Sequence, residues 1–151
     1  MFEESIRIPW IVRWPGVTKP GQKISQRVSN LDTLATVLGM LGAKSPAESR
    51  QEGVDLAPLL RGKRFTPHEA IYAQYDLRND AVDSMRMVRT RDWKLVRHHL
   101  RDGTDELFNL RDDPDELRNL YAVPEFARAK ARLQKQLTEW QQSIDDPLLK
   151  R

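Results

Sequence analysis

The sequence MFEESIRIPWIVRWPG, residues 1–16, decides how the rest of the chain is interpreted. Residues 6–14 form a nearly continuous β-branched and aromatic run, and Pro15-Gly16 follows as a turn signal. A run that is apolar on both faces is typical of a strand inside a large, helix-covered sheet. We therefore predict a buried strand over residues 6–14. Because the 151 residues contain few other elements that could cover this strand, we expect the chain to be the C-terminal part of a larger protein.

Short elements and one helix are predicted next. Apolar side chains at helical spacing predict a helix over residues 31–41, which Gly42 is suited to end. A short strand is predicted over residues 24–28, and one helical turn within residues 54–60. The basic turn at residues 61–64 is the best candidate for a boundary between two portions of the chain.

The second portion predicts a small antiparallel sheet with one long helix. Thr90-Arg91-Asp92 is typical of a tight hairpin connection between two of its strands. From Pro124 onwards, apolar residues recur three or four apart and form one stripe that can pack on the sheet. The predicted strands occupy residues 70–75, 85–90, 93–99 and 106–110.

Five blocks of sequence carry a family resemblance. They are residues 1–16, 28–38, 53–62, 86–95 and 106–120. In this order they resemble the segment that follows the catalytic half of sulfatases, in the alkaline phosphatase-like superfamily. The resemblance implies an α+β fold in two parts. Residues 1–62 would be a remnant strand and helix of the large α/β domain, and residues 63–151 a complete small subdomain with about four antiparallel strands and a long C-terminal helix.

The resemblance also indicates which chemistry this chain lacks. Sulfatases carry a Cys/Ser-x-Pro-x-Arg signature whose first residue becomes formylglycine, and the chain has no Cys and no Ser in that pattern. The family's late Asp-Asn or Asp-His metal-ligand pair is also missing, since Asn79-Asp80 has the reverse order. We therefore predict no catalytic residue and no metal ligand here. The parent is expected to use formylglycine and a divalent cation, calcium being the expected ion. By resemblance, Glu3 and Glu4 lie near its active site.

Composition and charge restrict the partners. Basic and acidic residues are interspersed and the net charge is only +3, so no nucleic-acid partner is expected. No apolar run approaches the ~20 residues that span a bilayer, so no membrane partner is expected either. The absence of Cys excludes disulfides and thiolate metal sites. The expected partners are the missing N-terminal catalytic portion, or a second copy through self-association, and a sulfated small molecule or sugar in the parent. Family analogy suggests a periplasmic or secreted parent.

Residues 86–101 concentrate positive charge, and two interpretations stay open. The segment can be the outward, solvated face of two paired strands, or a basic wall that faces an anionic substrate. His98 and His99 are adjacent, so on a strand they point to opposite faces and cannot chelate one ion together. The candidate substrate-binding residues are Tyr75, Arg78, Arg97, His98 and His99.

Other polar residues have structural interpretations. Asp32 lies in the first turn of the predicted helix, where the dipole favours a carboxylate, and is assigned to capping. His68 follows Pro67 in a loop and is expected to be solvated. The carboxylates of residues 112–116 are assigned to a solvated turn in preference to a cation site.

The predicted function is therefore that of the C-terminal part of a sulfatase-like enzyme. This part would complete the fold and shape substrate choice, and alone it would be inactive. The alternatives are a non-catalytic scaffold, an anion- or polysaccharide-binding module, or part of a related phosphonate or phosphate ester hydrolase.

Overall fold

The computed structural model describes residues 1–45, 52–78, 82–101 and 103–150. It contains two compact units. The first comprises Met1–Ile8 and Glu69–Arg151, and the second comprises Pro9–His68. The predicted division at residues 62 and 63 concerns the domains of a longer parent and stays a prediction.

Four antiparallel strands in sequential order form the sheet of the first unit: β1 (Ile71–Arg78), β2 (Val82–Arg89), β3 (Trp93–His98) and β4 (Glu106–Asn109). The hairpin between β2 and β3 closes with the Thr90 N–H donating to the Trp93 carbonyl at 2.8 Å. The predicted sheet and its tight hairpin are confirmed.

One face of this sheet packs against the helix α4 (Ala127–Ser143), which a 3₁₀ turn at Pro124–Phe126 precedes. Val88, Leu95 and Leu107 lie side by side across the strands, and they form one buried core with Leu133 and Leu137 of the helix. The apolar stripe of the helix therefore packs on the sheet as predicted. With this arrangement the predicted α+β fold is confirmed.

The short helix α1 (Glu3–Ile6) belongs to the same unit. The rings of Phe2 and Phe108 lie 6.5 Å apart, on the sheet face opposite α4. Residues 7–14, all of which the structure describes, form no strand, so that prediction is wrong. A β-branched run becomes a strand only where a neighbour accepts its backbone hydrogen bonds. Ile11 is 91% exposed. The described residues 24–28 likewise form no strand.

The second unit contains helices α2 (Asp32–Leu41) and α3 (Ala57–Leu60). Gly42 ends α2 in the left-handed conformation, at φ 66°, as predicted. The apolar stripe of α2 faces solvent, however, with Leu34 60% and Leu41 74% exposed. Its buried side presents Asp32, Ala35 and Thr36.

Candidate functional site

Asp32 is a buried hydrogen-bonding centre of the second unit. Its carboxylate accepts the Ser29 N–H at 2.7 Å, as the capping prediction requires, and the Val54 N–H at 2.9 Å. The His68 Nε2 lies 2.9 Å from the same carboxylate. The prediction that His68 is solvated is therefore wrong, because its loop places the imidazole beside the buried carboxylate of Asp32.

The sheet register separates the substrate-binding candidates. Tyr75, Met85 and His98 stand opposite one another, so Tyr75 and His98 share a face. Because successive side chains alternate between the faces, Arg97 lies on the other face, the one that α4 covers. His99 lies on the same side as Arg97. The two histidines therefore lie on opposite faces, as predicted. The side chain of Arg78 and the residues Asn79-Asp80 lie outside the described part of the chain.

His98 is held by a carboxylate. Its Nδ1 lies 2.6 Å from Asp83 Oδ2, and its Nε2 lies 3.8 Å from Glu106 Oε2. Since a carboxylate only accepts, Nδ1 is the donor. Burial alone would raise the pKa of Asp83, but the hydrogen bond and charge of His98, the Ser84 N–H and Arg101 together lower it. Asp83 therefore stays ionised and fixes the orientation of the ring.

His99 has a different environment. Burial lowers the pKa of this imidazole first, and the nearby guanidiniums of Arg97 and Arg86 lower it further. Arg97 itself lies 2.6 Å from Asp105. A neutral ring beside paired charges is the expected state at neutral pH.

Arg86 departs from the predicted outward basic face, since it is only 2% exposed. Its Nε donates to Asp146 at 2.7 Å, its Nη2 donates to the second Asp146 oxygen at 3.2 Å, and its Nη1 donates to Asp76 at 3.0 Å. Burial would raise the pKa of Asp146, but the hydrogen bonds from Arg86, Gln141 and Leu148 lower it to about 2. Arg86 and Asp146 therefore form a two-point buried ion pair.

Lys94 is also fully buried, against the same prediction. It contacts the carboxylate of Glu116, a residue predicted to lie in a solvated turn. The turn exists, because Asp113 accepts the N–H groups of Leu117 and Arg118. Glu116, however, is buried with φ at 56°. The turn assignment is therefore right, and the solvated assignment is wrong for this one carboxylate.

One of the two interpretations of residues 86–101 requires correction. The buried pairs exclude a uniformly solvated face. Every Lys and Arg of the segment has a carboxylate within 4.0 Å, but Arg91 is 85% exposed with its pair at 3.9 Å, so the interpretation as a wall that faces an anionic substrate stays a prediction. The six residues are Arg86, Arg89, Arg91, Lys94, Arg97 and Arg101.

Two kinds of feature are absent from the described residues. Within ranges 1–45, 52–78, 82–101 and 103–150, no group of three or more His, Asp or Glu side chains is placed to hold a metal ion. In the same ranges no helix is both long and apolar enough to cross a bilayer.

A family model described as N-sulphoglucosamine sulphohydrolase, C-terminal, matches residues 1–143. The chain belongs to this sulfatase family. The resemblance predicted from the five sequence blocks is thereby confirmed.

Individual sulfatases agree with this assignment. Human steryl-sulfatase is 38% identical over 94 residues, which cover 62% of this chain and 16% of that protein. The N-acetylglucosamine-6-O-sulfatase of Bacteroides thetaiotaomicron is 29% identical over 151 residues, covering 97% of this chain and 27% of that protein. The chain therefore spans about a sixth to a quarter of the length of these relatives.

Solved structures show the same relationship. A 2-O GAG sulfatase superposes with a TM-score of 0.79 at 25% identity, covering 91% of this chain and 30% of that one. A protein solved in complex with its substrate D-glucosamine-2-N,6-O-disulfate superposes with a TM-score of 0.75 at 26% identity, covering 93% and 30%.

The buried charges of this sulfatase region are the features that sequence analysis missed. A signal for them exists in the strand alternation. Arg86 is two residues from the core residue Val88, and Lys94 is two residues from the buried Val96. A charged residue that shares a face with a core residue calls for a buried counter-charge. The partners, Asp146 and Glu116, are 60 and 22 positions away along the chain.

Proposed function

We propose that this chain is the C-terminal part of a sulfatase that hydrolyses sulfate esters, and that it has no sulfatase activity alone. The observation that carries the proposal is the family match over residues 1–143, in a chain without the Cys/Ser-x-Pro-x-Arg signature. The nucleophile must then come from elsewhere. Purified as 151 residues, the chain should not hydrolyse an aryl sulfate with or without added Ca²⁺. Turnover at a rate that scales with chain concentration would contradict this.

The surface of the second unit supports a role in completing a larger fold. The outward apolar stripe of α2 is unusual for a folded surface, because contiguous apolar patches normally mark an interface. The proposed occupant is the N-terminal catalytic portion, and self-association through the same stripe is the alternative for the isolated chain.

The cofactors implied by the resemblance, formylglycine and a divalent cation, do not fit residues of this chain. No described cluster of three His, Asp or Glu side chains is placed as a ligand set, and no Cys is present for conversion. We assign both to the rest of the protein.

A sulfated sugar is the proposed substrate class, and the sheet register supports contact with one part of the candidate residues. Tyr75 and His98 share the sheet face that α4 does not cover, and the Tyr75 side chain is half exposed. The Nε2 atom of His98 is buried and makes no hydrogen bond within the described residues, so a sugar hydroxyl that donates to it must displace the side chains that cover it. Arg97 pairs with Asp105 on the opposite side, and the buried ring of His99 lies beside it there.

Adjacent alanine variants test this assignment in the longer sulfatase that contains the chain. His98→Ala should lower kcat/KM about tenfold on a sulfated glucosamine, as the loss of one hydrogen bond implies, and should leave an aryl sulfate unaffected. His99→Ala is the matched control, with the same substitution on the other face. It should change both substrates equally or neither. An equal fall for both substrates in His98→Ala would return His98 to a structural role.

Two measurements separate this proposal from the alternative functions. A phosphonate monoester hydrolysed faster than the aryl sulfate would identify a related ester hydrolase. Retention on heparin at physiological salt would favour an anion-binding module, which the pairing of Arg86, Arg89, Lys94 and Arg97 with carboxylates argues against.

A further inference from the structure

Four charged side chains from three distant segments meet on the sheet face opposite α4. Lys94 contacts the Glu116 carboxylate and lies 3.7 Å from Glu3 Oε1. Arg89 reaches the same Glu3 carboxylate, with Nη2 to Oε2 at 3.1 Å and Nε to Oε1 at 3.4 Å. We call Glu3, Arg89, Lys94 and Glu116 the N-terminal clamp. Its two positive and two negative charges balance.

The clamp also holds main-chain atoms. Lys94 Nζ donates to the Met1 carbonyl at 2.7 Å, and Glu116 Oε2 accepts the Glu3 N–H at 2.6 Å. These two bonds fix the backbone on both sides of Phe2, whose ring packs near Phe108. A charge-assisted hydrogen bond between buried groups is stronger than an exposed one.

Glu116 is suited to this task by an unusual backbone. Its φ of 56° is a left-handed conformation that is uncommon for residues other than glycine. Such a conformation persists only where surrounding contacts determine it. Here the contacts are those with Lys94 and with the Glu3 N–H.

We propose that Arg89, Lys94 and Glu116 are positioning residues that set the path of the main chain at Met1–Glu3, and through it the place of residues joined to Met1 in a longer sulfatase. The proposal rests on the Proposed function. Consecutive Cα atoms are 3.8 Å apart, so residues one to three positions before Met1 remain within about 11 Å of the clamp. A displacement of about 1 Å at a reacting group lowers a rate about a hundredfold.

The first test uses the 151-residue chain and amide hydrogen exchange. In Lys94→Met, exchange at the amides of Glu3 and Arg7 should accelerate at least tenfold, while the hairpin amide of Thr90 stays protected. Lys135→Met is the matched control, since Lys135 forms only an exposed ion pair with Glu139, and it should change none of these amides. Glu3→Gln is a milder second variant if Lys94→Met fails to fold. Equal acceleration at all amides, or none, would overturn the proposal.

The second test uses the longer sulfatase with an aryl sulfate. Glu3→Gln and Lys94→Met should lower kcat at least tenfold with KM within about twofold, because Glu3 lies near the active site by resemblance and the clamp holds the main chain there. Glu125→Gln, on an exposed turn, should change neither constant. Unchanged kcat in both clamp variants would refute a positioning role. An inactive wild-type protein would count against the Proposed function, and the clamp would then stand or fall on the exchange result.

Discussion

Replacing Asp146 with Asn should destabilise the first unit strongly, because it removes the main partner of a buried guanidinium. Arg86 would keep only the half-exposed Asp76 as a carboxylate partner. Breaking a buried ion pair on one side costs about 3–5 kcal/mol. The pKa of Asp146 gives a second figure. The difference between 3.8 and about 2, at about 1.4 kcal/mol per pH unit, corresponds to between about 2 and 3 kcal/mol.

Asp145→Asn is the matched control, with the same substitution one residue earlier. Asp145 is 77% exposed and pairs only with the exposed Lys150. Its φ is 56°, a conformation that Asn tolerates. An exposed ion pair contributes at most about 1 kcal/mol, so this variant should unfold close to the wild type.

Urea denaturation of the 151-residue chain at pH 7 measures both variants. The pH dependence provides a further check. Because the pKa of Asp146 is lowered in the folded state, its contribution is present above pH 3.8 and is lost as the pH falls towards 2. The gap between wild type and Asp146→Asn should therefore narrow below about pH 4. Equal losses in the two variants, or a loss below about 1 kcal/mol for Asp146→Asn, would refute the role of the buried pair.

Two further predictions concern His99 and α2. Burial lowers the pKa of His99, so the folded state favours the neutral ring and stability should fall as the pH drops below about 6.5. In urea titrations at pH 7 and pH 5, His99→Gln should show a smaller fall than the wild type. The same fall in both proteins would contradict the prediction. Leu34→Asp, on the outward stripe of α2, should shift sedimentation of the isolated chain towards monomer while the monomer stays folded, whereas a loss of folding would show that Leu34 belongs to a core.

The small sheet and α4 could be predicted because their signals are local. Strand alternation, a short turn and a three-to-four-residue stripe each depend on neighbours in sequence. The strand predicted over residues 6–14 failed for a different reason. A β-branched run favours a strand only if another strand lies beside it and pairs with its backbone, and that strand is not specified by the run itself. In this structure the described residues 7–14 form no strand.

The buried pairs could not be predicted in the same way. Arg86 and Lys94 look like ordinary strand charges, and their burial depends on Asp146 and Glu116, which only the folded chain brings close. In the same way, only the register of the strands assigns the candidate substrate-binding residues to the two faces of the sheet. Tyr75 and His98 share a face because β1 and β3 both align with Met85, an alignment that the sequence of either strand alone does not specify.

The two units differ in what holds them together, and this difference bears on their dependence on a partner. The first unit has an apolar core under α4 and balanced buried charges on its other side. In the second unit, the buried side of α2 is held largely by hydrogen bonds, with Thr36 Oγ1 donating to the Asp32 carbonyl at 2.7 Å and accepting the Leu56 N–H at 3.0 Å. The large apolar side chains Leu34, Val37 and Leu41 of α2 face outward instead. Each would gain on the order of 1 kcal/mol if its remaining exposed surface were covered. The second unit is therefore the one whose stability should rise on joining a larger sulfatase, while the first should unfold alike with or without it.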